Sequence, residues 1–224
     1  MQHKFMKKIA LAVLTSTLLV NFANADCLNL KAGKDYTDIK LSSSHIVKLT
    51  EQEVKSAKPV LVEFFWYGCS HCYQMDPMIN KLVAQHKDNI IFKRYPVNFP
   101  RWDSGAKLFF TVQEMGLEEK LHAKIFEVIH KKHINIMDNK AQRDKFLKSE
   151  NVDVQKFDSI YNSFGINTKM KLSSDVAKNY NLQSSPVFVI NNKYQVDPAL
   201  TQSYDATLKS IDQMLKGLES KQCK

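Results

Sequence analysis

The order of apolar and polar positions divides the chain into strand-like and helix-like stretches. Val60-Leu61-Val62-Glu63-Phe64-Phe65 is a β-branched and aromatic run that begins after Pro59 and stops at a glycine, Gly68. Its near-continuous apolar character predicts a central strand buried on both faces, with Pro59 tolerable at the strand start. From Tyr73 to about His86 the residues Met75, Met78, Ile79, Leu82 and Val83 recur at helical spacing, so a helix follows, with a kink expected at Pro77. Residues 89–97 return to strand composition, and strand, helix and strand make one βαβ unit. Ahead of it, the alternation in His45-Ile46-Val47-Lys48-Leu49 predicts an edge strand.

The pattern then changes. From Trp102 to Tyr180 the apolar positions keep helical spacing, as in Leu108/Phe109/Val112/Met115, Leu121/Ile125/Val128/Ile129 and Phe157/Ile160/Tyr161, with no convincing strand. A stretch of about 75 residues is too long for an ordinary crossover, so it predicts a helical subdomain inserted at about 102–180 into a sheet domain. Pro186-Val187-Phe188-Val189-Ile190 resumes strand composition, Asn191-Asn192 signals a hairpin, residues 193–196 return, and Leu200 to Leu218 predicts a final amphipathic helix.

The first residues change the picture of where the protein works. Lys4, Lys7 and Lys8, an apolar run from Ile9 to Val20 and Ala23-Asn24-Ala25 read as a secretory signal over 1–25, cleaved after Ala25, with translation starting at Met1 or Met6. The apolar run is too short to span a bilayer, which calls for roughly 20 residues. Acylation at Cys27 is disfavoured because the charged Asp26 precedes it. The exported part, 26–224, is long enough for one domain carrying an insertion. Without the leader the formal charge of +9 falls to about +6, spread over scattered lysines; no basic cluster argues for nucleic acid.

The candidate chemistry sits between the first strand and its helix, in Gly68-Cys69-Ser70-His71-Cys72. Two cysteines three apart in a first helical turn share a face, and the unpaired N–H groups of that turn stabilise a thiolate. A depressed pKa makes Cys69 an attacking nucleophile near neutral pH and a good leaving group, the two properties that thiol–disulfide exchange requires. Structural zinc would need four ligands, while Cys27 and Cys223 sit alone near the chain ends. A purely structural disulfide across so short a loop would remove little chain entropy. No metal is therefore expected, and His130 and His133, spaced His-x-x-His among lysines, read as exposed helix residues. His71 is expected to offer a ring donor to the Cys69 sulfur. A carboxylate in a buried strand is costly, so Glu63 should be protonated, paired or close to the thiols as a proton relay, with Asp76 as a second acid near the thiol end.

Glu63-Phe64-Phe65 leading into Cys69-Ser70-His71-Cys72-Tyr73-Gln74, together with Ser185-Pro186 and the strand and hairpin after it, resembles the DsbA-like bacterial periplasmic thiol:disulfide oxidoreductases. The resemblance implies an α/β, thioredoxin-like fold with an inserted helical subdomain. It implies that Pro186 is a cis proline facing the disulfide, with the neighbouring backbone of Ser185 and Val187 free to pair with an extended substrate, and that Glu63 is a buried acid beside the thiols. Ser70 stands where the family often has proline, and Ser185 where bulkier residues are often found; both bear on redox potential. The implied activity is donation of the Cys69–Cys72 disulfide to reduced exported proteins by a periplasmic monomer that needs no cofactor and is re-oxidised by a membrane oxidase of the DsbB type. A disulfide isomerase or reductase on the same fold, and a redox-inactive peptide-binding chaperone, are the alternatives. Cys27 and Cys223 either pair with each other, as an even count in an exported protein suggests, or stay free or intermolecularly bonded.

Overall fold

The computed structural model describes residues 29–221. The expected leader and both Cys27 and Cys223 lie outside the described residues. The sheet is built around β2 (Val60–Phe65), which pairs in parallel with β3 (Ile91–Pro96) and antiparallel with β4 (Val187–Ile190). Beyond β4 come β5 (Tyr194–Val196) and the two-residue edge strand β1 (Thr37–Asp38), giving the order β1-β5-β4-β2-β3. Both central residues of the β4–β5 hairpin, Asn191 and Asn192, have positive φ of 51° and 56°, the conformation that a two-residue turn of this hand demands and that asparagine tolerates.

The expected edge strand at His45–Leu49 does not form. The chain there is held by one side chain instead: Asn179 Oδ1 accepts from the backbone N–H groups of Ser42 and Ser43, and its Nδ2 donates to the carbonyls of Ser43 and His45. Those contacts satisfy main-chain groups of residues 42–45 at the entrance to the stretch, while Val47 enters the core with Ile46 packed beside it.

Alternation along β2 assigns its faces. Val62 and Phe64 pack with Tyr180, Val187 and Val189 on one side of the sheet. On the other, Leu61 packs with Met75 and Ile79 of α2 (Ser70–Gln85) and with Ile211 and Met214 of α9 (Tyr204–Glu219), and Phe65 reaches into the core of the helical block. Helix α2 continues past Pro77, which is exposed. Between β3 and β4 stand α3 (Asp103–Glu114), α4 (Glu118–His130), α5 (Lys140–Ser149), α6 (Val154–Tyr161) and α7 (Phe164–Asn179). Their shared core of Phe109, Leu121, Ile125, Phe126 and Phe157 is continuous with Phe65, Tyr67 and Cys72, so the block packs directly behind the cysteine turn.

The C-terminal helix is divided. A one-turn helix at residues 198–201, capped by Asp197, ends at Gln202 with φ +66°, and Ser203 caps α9 anew by accepting from Ala206 N–H. Two side-chain caps six residues apart specify two starts, which is why an apolar pattern alone reads as one helix from Leu200.

Candidate active site

Strand β2 delivers the chain to a tight turn, Trp66-Tyr67-Gly68, before α2 begins. The indole of Trp66 lies flat on that of Trp102, with centroids 4.4 Å apart and planes 4° from parallel. A Cβ on Gly68 would fall 2.3 Å from the Trp66 ring and one on Gly105 2.9 Å from it, so both glycines are required by the space that the indole occupies. The turn places Cys69 as the N-cap of α2, where its sulfur accepts from Cys72 N–H at 3.3 Å.

The two sulfurs occupy different environments. Cys69 is half-buried and Cys72 fully buried, and both are free thiols. A hydrogen bond from the Cys72 thiol, outweighing the opposing effect of burial and joined by the Ser185 hydroxyl and the backbone N–H groups of Cys72 and His71, holds Cys69 down at about 5. Burial, and then the Cys69 sulfur itself, push Cys72 well above the ordinary thiol range. One proton is thus shared unequally by two thiols. The outer sulfur is a thiolate at neutral pH and the inner one its donor.

Opposite the turn, the Ser185–Pro186 peptide is cis, and the Ser185 carbonyl oxygen lies 3.3 Å from Cys69 Sγ. Ser185 and Pro186 line a groove of about 580 Å³ together with His71, Pro198, Ala199 and Tyr204. Ser70 is exposed at the first helical position. The Val187 side chain is core, packed against the far face of β2 in register with Phe64, and adds only backbone to this region. The described hydrogen-bond partner of the His71 ring is the Tyr204 hydroxyl, not the expected Cys69 sulfur, and the part of His71 that favours the thiolate is its backbone N–H.

A second polar assembly lies under the turn. Glu63 faces the α2 side of the sheet, fully buried, and its cross-strand neighbour is Arg94. The Arg94 guanidinium lies 3.3 Å from Glu63 by Nε and 3.3 Å from Asp76 by one terminal nitrogen, which also contacts Asn80. Asp76 in turn lies 3.3 Å from His122 Nε2, and His122 Nδ1 meets the Tyr67 hydroxyl at 3.1 Å. Burial raises Glu63 to about 7 despite Arg94. Burial also lifts Asp76, but the contacts with His122 and Arg94 outweigh it and leave the carboxyl below its ordinary value. Burial lowers His122 to about 4, so the ring is neutral, with Nδ1 against the Tyr67 hydroxyl and Nε2 3.3 Å from Asp76.

The structure therefore brings Cys69, Cys72, His71, Ser185 and Pro186 together at the surface and Glu63 with Asp76 below it. Arg94, His122, Tyr67 and Tyr204 were not singled out from the sequence. His122 did leave a signal, since it falls on the apolar face of α4 beside Leu121, Ile125 and Phe126. His130 is not an exposed helix residue: its Nε2 reaches the Tyr67 carbonyl at 2.8 Å and its ring stacks on Tyr73 at 4.9 Å. Helix α4 ends at His130, and His133, exposed with φ +54°, has left the helical spacing that would pair the two rings.

A family model described as Thioredoxin matches residues 54–213. The chain is 35% identical over 221 residues to the thiol:disulfide interchange protein DsbA of Burkholderia cepacia, covering 96% of this chain and 99% of the relative. It is 32% identical to DsbA of Azotobacter vinelandii, over 83% of this chain and 87% of that one. The crystal structure of Pseudomonas aeruginosa DsbA superposes with a TM-score of 0.71 at 33% identity, covering 84% of this chain and 94% of the other.

Proposed function

This chain belongs to the DsbA family of thiol:disulfide oxidoreductases within the thioredoxin superfamily, and we propose that Cys69 and Cys72 are its working pair, cycling as a disulfide donor to reduced exported proteins. The observation that carries this reading is the unequal pair itself: a half-exposed sulfur held down at about 5 against a fully buried partner held high.

The exchange balances on these two atoms. A substrate thiolate attacks Cys69 Sγ of the oxidised protein, the Cys69–Cys72 bond breaks, and Cys72 leaves with the electron pair and takes a proton. A second substrate thiolate then attacks the substrate sulfur of the mixed disulfide, and Cys69 leaves as a thiolate. A leaving group with a pKa near 5 favours that last step over return, so two electrons pass from substrate to protein. Glu63, at about 7, is suited to supply and recover the proton that Cys72 needs, while Arg94, itself anchored by Asp76, holds the carboxyl in place. The groove beside Pro186 would take the substrate as an extended segment, paired to the backbone near Ser185 and Val187, and Ser70 and Ser185 would set the potential through what they place beside the sulfurs. His71 contributes its backbone N–H to the thiolate.

The electrons are carried by the cysteines, so the reaction calls for no further cofactor. Work in the periplasm as a monomer, after removal of residues 1–25, and re-oxidation by a DsbB-type membrane oxidase complete the proposal. No helix among the described residues is long and apolar enough to cross a membrane. Oxidised protein mixed with one equivalent of a reduced dithiol peptide should yield cyclised peptide and two protein thiols, and Cys69→Ser should abolish this. A peptide that stays reduced, or a Cys69→Ser variant that keeps the full effect of the wild type, would make a reductase or a chaperone the better account.

A further inference from the structure

The imidazole of His71 stands at the exchange surface, yet it is committed elsewhere. Its Nδ1 is in hydrogen-bond contact with the hydroxyl of Tyr204, the first residue of α9, and that hydroxyl donates to Gln74 Oε1 at 3.1 Å. The two rings meet edge-on, with centroids 6.1 Å apart and planes at 72°. His71 and Gln74 come from the first turns of α2, and Tyr204 stands across the groove from them, so the contact bridges the two walls beside Ser185 and Pro186. A phenol carries one proton. Because that proton goes to Gln74, the phenol oxygen accepts from the ring, and a neutral imidazole has only one N–H to give. Tyr204 also lies within the electrostatic reach of the thiols: burial, and then the charges of Cys69 and Cys72, raise its phenol.

We propose that Tyr204 is a positioning residue for the exchange reaction: by engaging Nδ1 of the His71 ring, it withholds the imidazole from the Cys69 thiolate and leaves that sulfur to main-chain and Cys72 donors. The inference rests on the disulfide exchange proposed above. Its consequence is a set point. An N–H released toward Cys69 would stabilise the thiolate found only in the reduced protein, so the Tyr204 hydroxyl keeps the protein a weaker oxidant than the same cysteine turn with a free His71.

A double-variant cycle tests this. Wild type, Tyr204→Phe, His71→Ala and the double variant are equilibrated with glutathione redox buffers at one mildly alkaline pH. Tyr204→Phe keeps the aromatic wall and removes only the hydroxyl. It should shift the equilibrium toward reduced protein by about threefold or more, the equivalent of about half a pKa unit on Cys69, and that shift should vanish in the His71→Ala background. No shift, a shift toward oxidised protein, or the same shift in both backgrounds would overturn the role. The peptide oxidation assay on wild-type protein is scored separately: its failure would overturn the exchange reading, whereas the cycle measures the contact whether or not the peptide turns over.

Discussion

The cysteine turn and the ionic cluster beneath it are both polar, both contain groups displaced far from their ordinary pKa values, and they are built in opposite ways. The turn is local: its donors are mainly backbone N–H groups and a neighbouring thiol supplied by residues 69–72, and it opens on the groove beside Pro186. The cluster is assembled from side chains on β2, α2, β3 and α4, and nearly all of it is buried. Main-chain donors stay where the helix puts them whatever the charge state. Buried side-chain charges are held only by one another, so removing one strands the rest. Perturbation should therefore show as redox chemistry in the first region and as stability in the second.

The largest effect is expected in the cluster. Arg94→Ala removes the one cation between Glu63 and Asp76 and should lower the unfolding free energy by about 3 kcal/mol in denaturant melts. Adding Glu63→Gln and Asp76→Asn to that variant should recover most of the loss. A cost below about 1 kcal/mol for Arg94→Ala alone would mean that the two regions do not differ as described.

Next in size is a pH dependence that runs in opposite directions in the two regions. Cys69 is depressed from about 9 to about 5 when folded, so its thiolate adds stability that is complete above the unfolded value and is lost as pH falls through about 5. Only the reduced protein has it. Reduced protein should outlast oxidised protein by roughly 2 kcal/mol at neutral pH, discounted for the exposure of Cys69, on a form with Cys27 and Cys223 replaced by serine. Glu63 is raised from 4.5 to about 7, so its proton adds stability that is fully present below 4.5 and lost as pH rises through about 7. Oxidised protein isolates that loss, and Glu63→Gln should flatten it by about 2 kcal/mol. Parallel pH profiles for the two redox forms would remove the distinction.

The smallest effect sharpens the comparison. Tyr67→Phe deletes the hydroxyl that serves His122 and should cost about 1 kcal/mol while leaving the glutathione equilibrium within about twofold of wild type. A change in that equilibrium without a loss of stability would place Tyr67 with the turn.

The same contrast explains what could be read from the sequence. Cys69, Ser70, His71 and Cys72 lie within one helical turn, so their chemistry follows from a strand that stops and a helix that starts. Strand β2, helix α2, the Asn191-Asn192 hairpin and the run of helices from 103 to 179 carry local periodicity strong enough to be recognised. Glu63 stood out because it interrupts an apolar run, but its partner Arg94 is named only by the parallel register of β3, and His122 only by the packing of α4 behind the turn. At the strand expected at His45–Leu49, alternation did not foretell that the chain entering it is tied down by Asn179, more than 130 residues away, which bonds Ser42, Ser43 and the carbonyl of His45. The partner of the His71 ring was likewise hidden, since Tyr204 reaches it from the far end of the chain.

The stacked indoles have an optical consequence. Trp66 and Trp102 are the only tryptophans in the chain, and they form one face-to-face pair joining the end of β2 to the residue that opens α3. All of the protein's indole emission therefore originates at a single spot, where the cysteine turn meets the helical block. At 4.4 Å the two transition dipoles couple, so the pair should give a near-ultraviolet circular dichroism band that a lone indole does not. A displacement of the helical block against the turn, whether on binding a substrate or on changing redox state, would alter that band directly, without a label and without interference from tryptophans elsewhere.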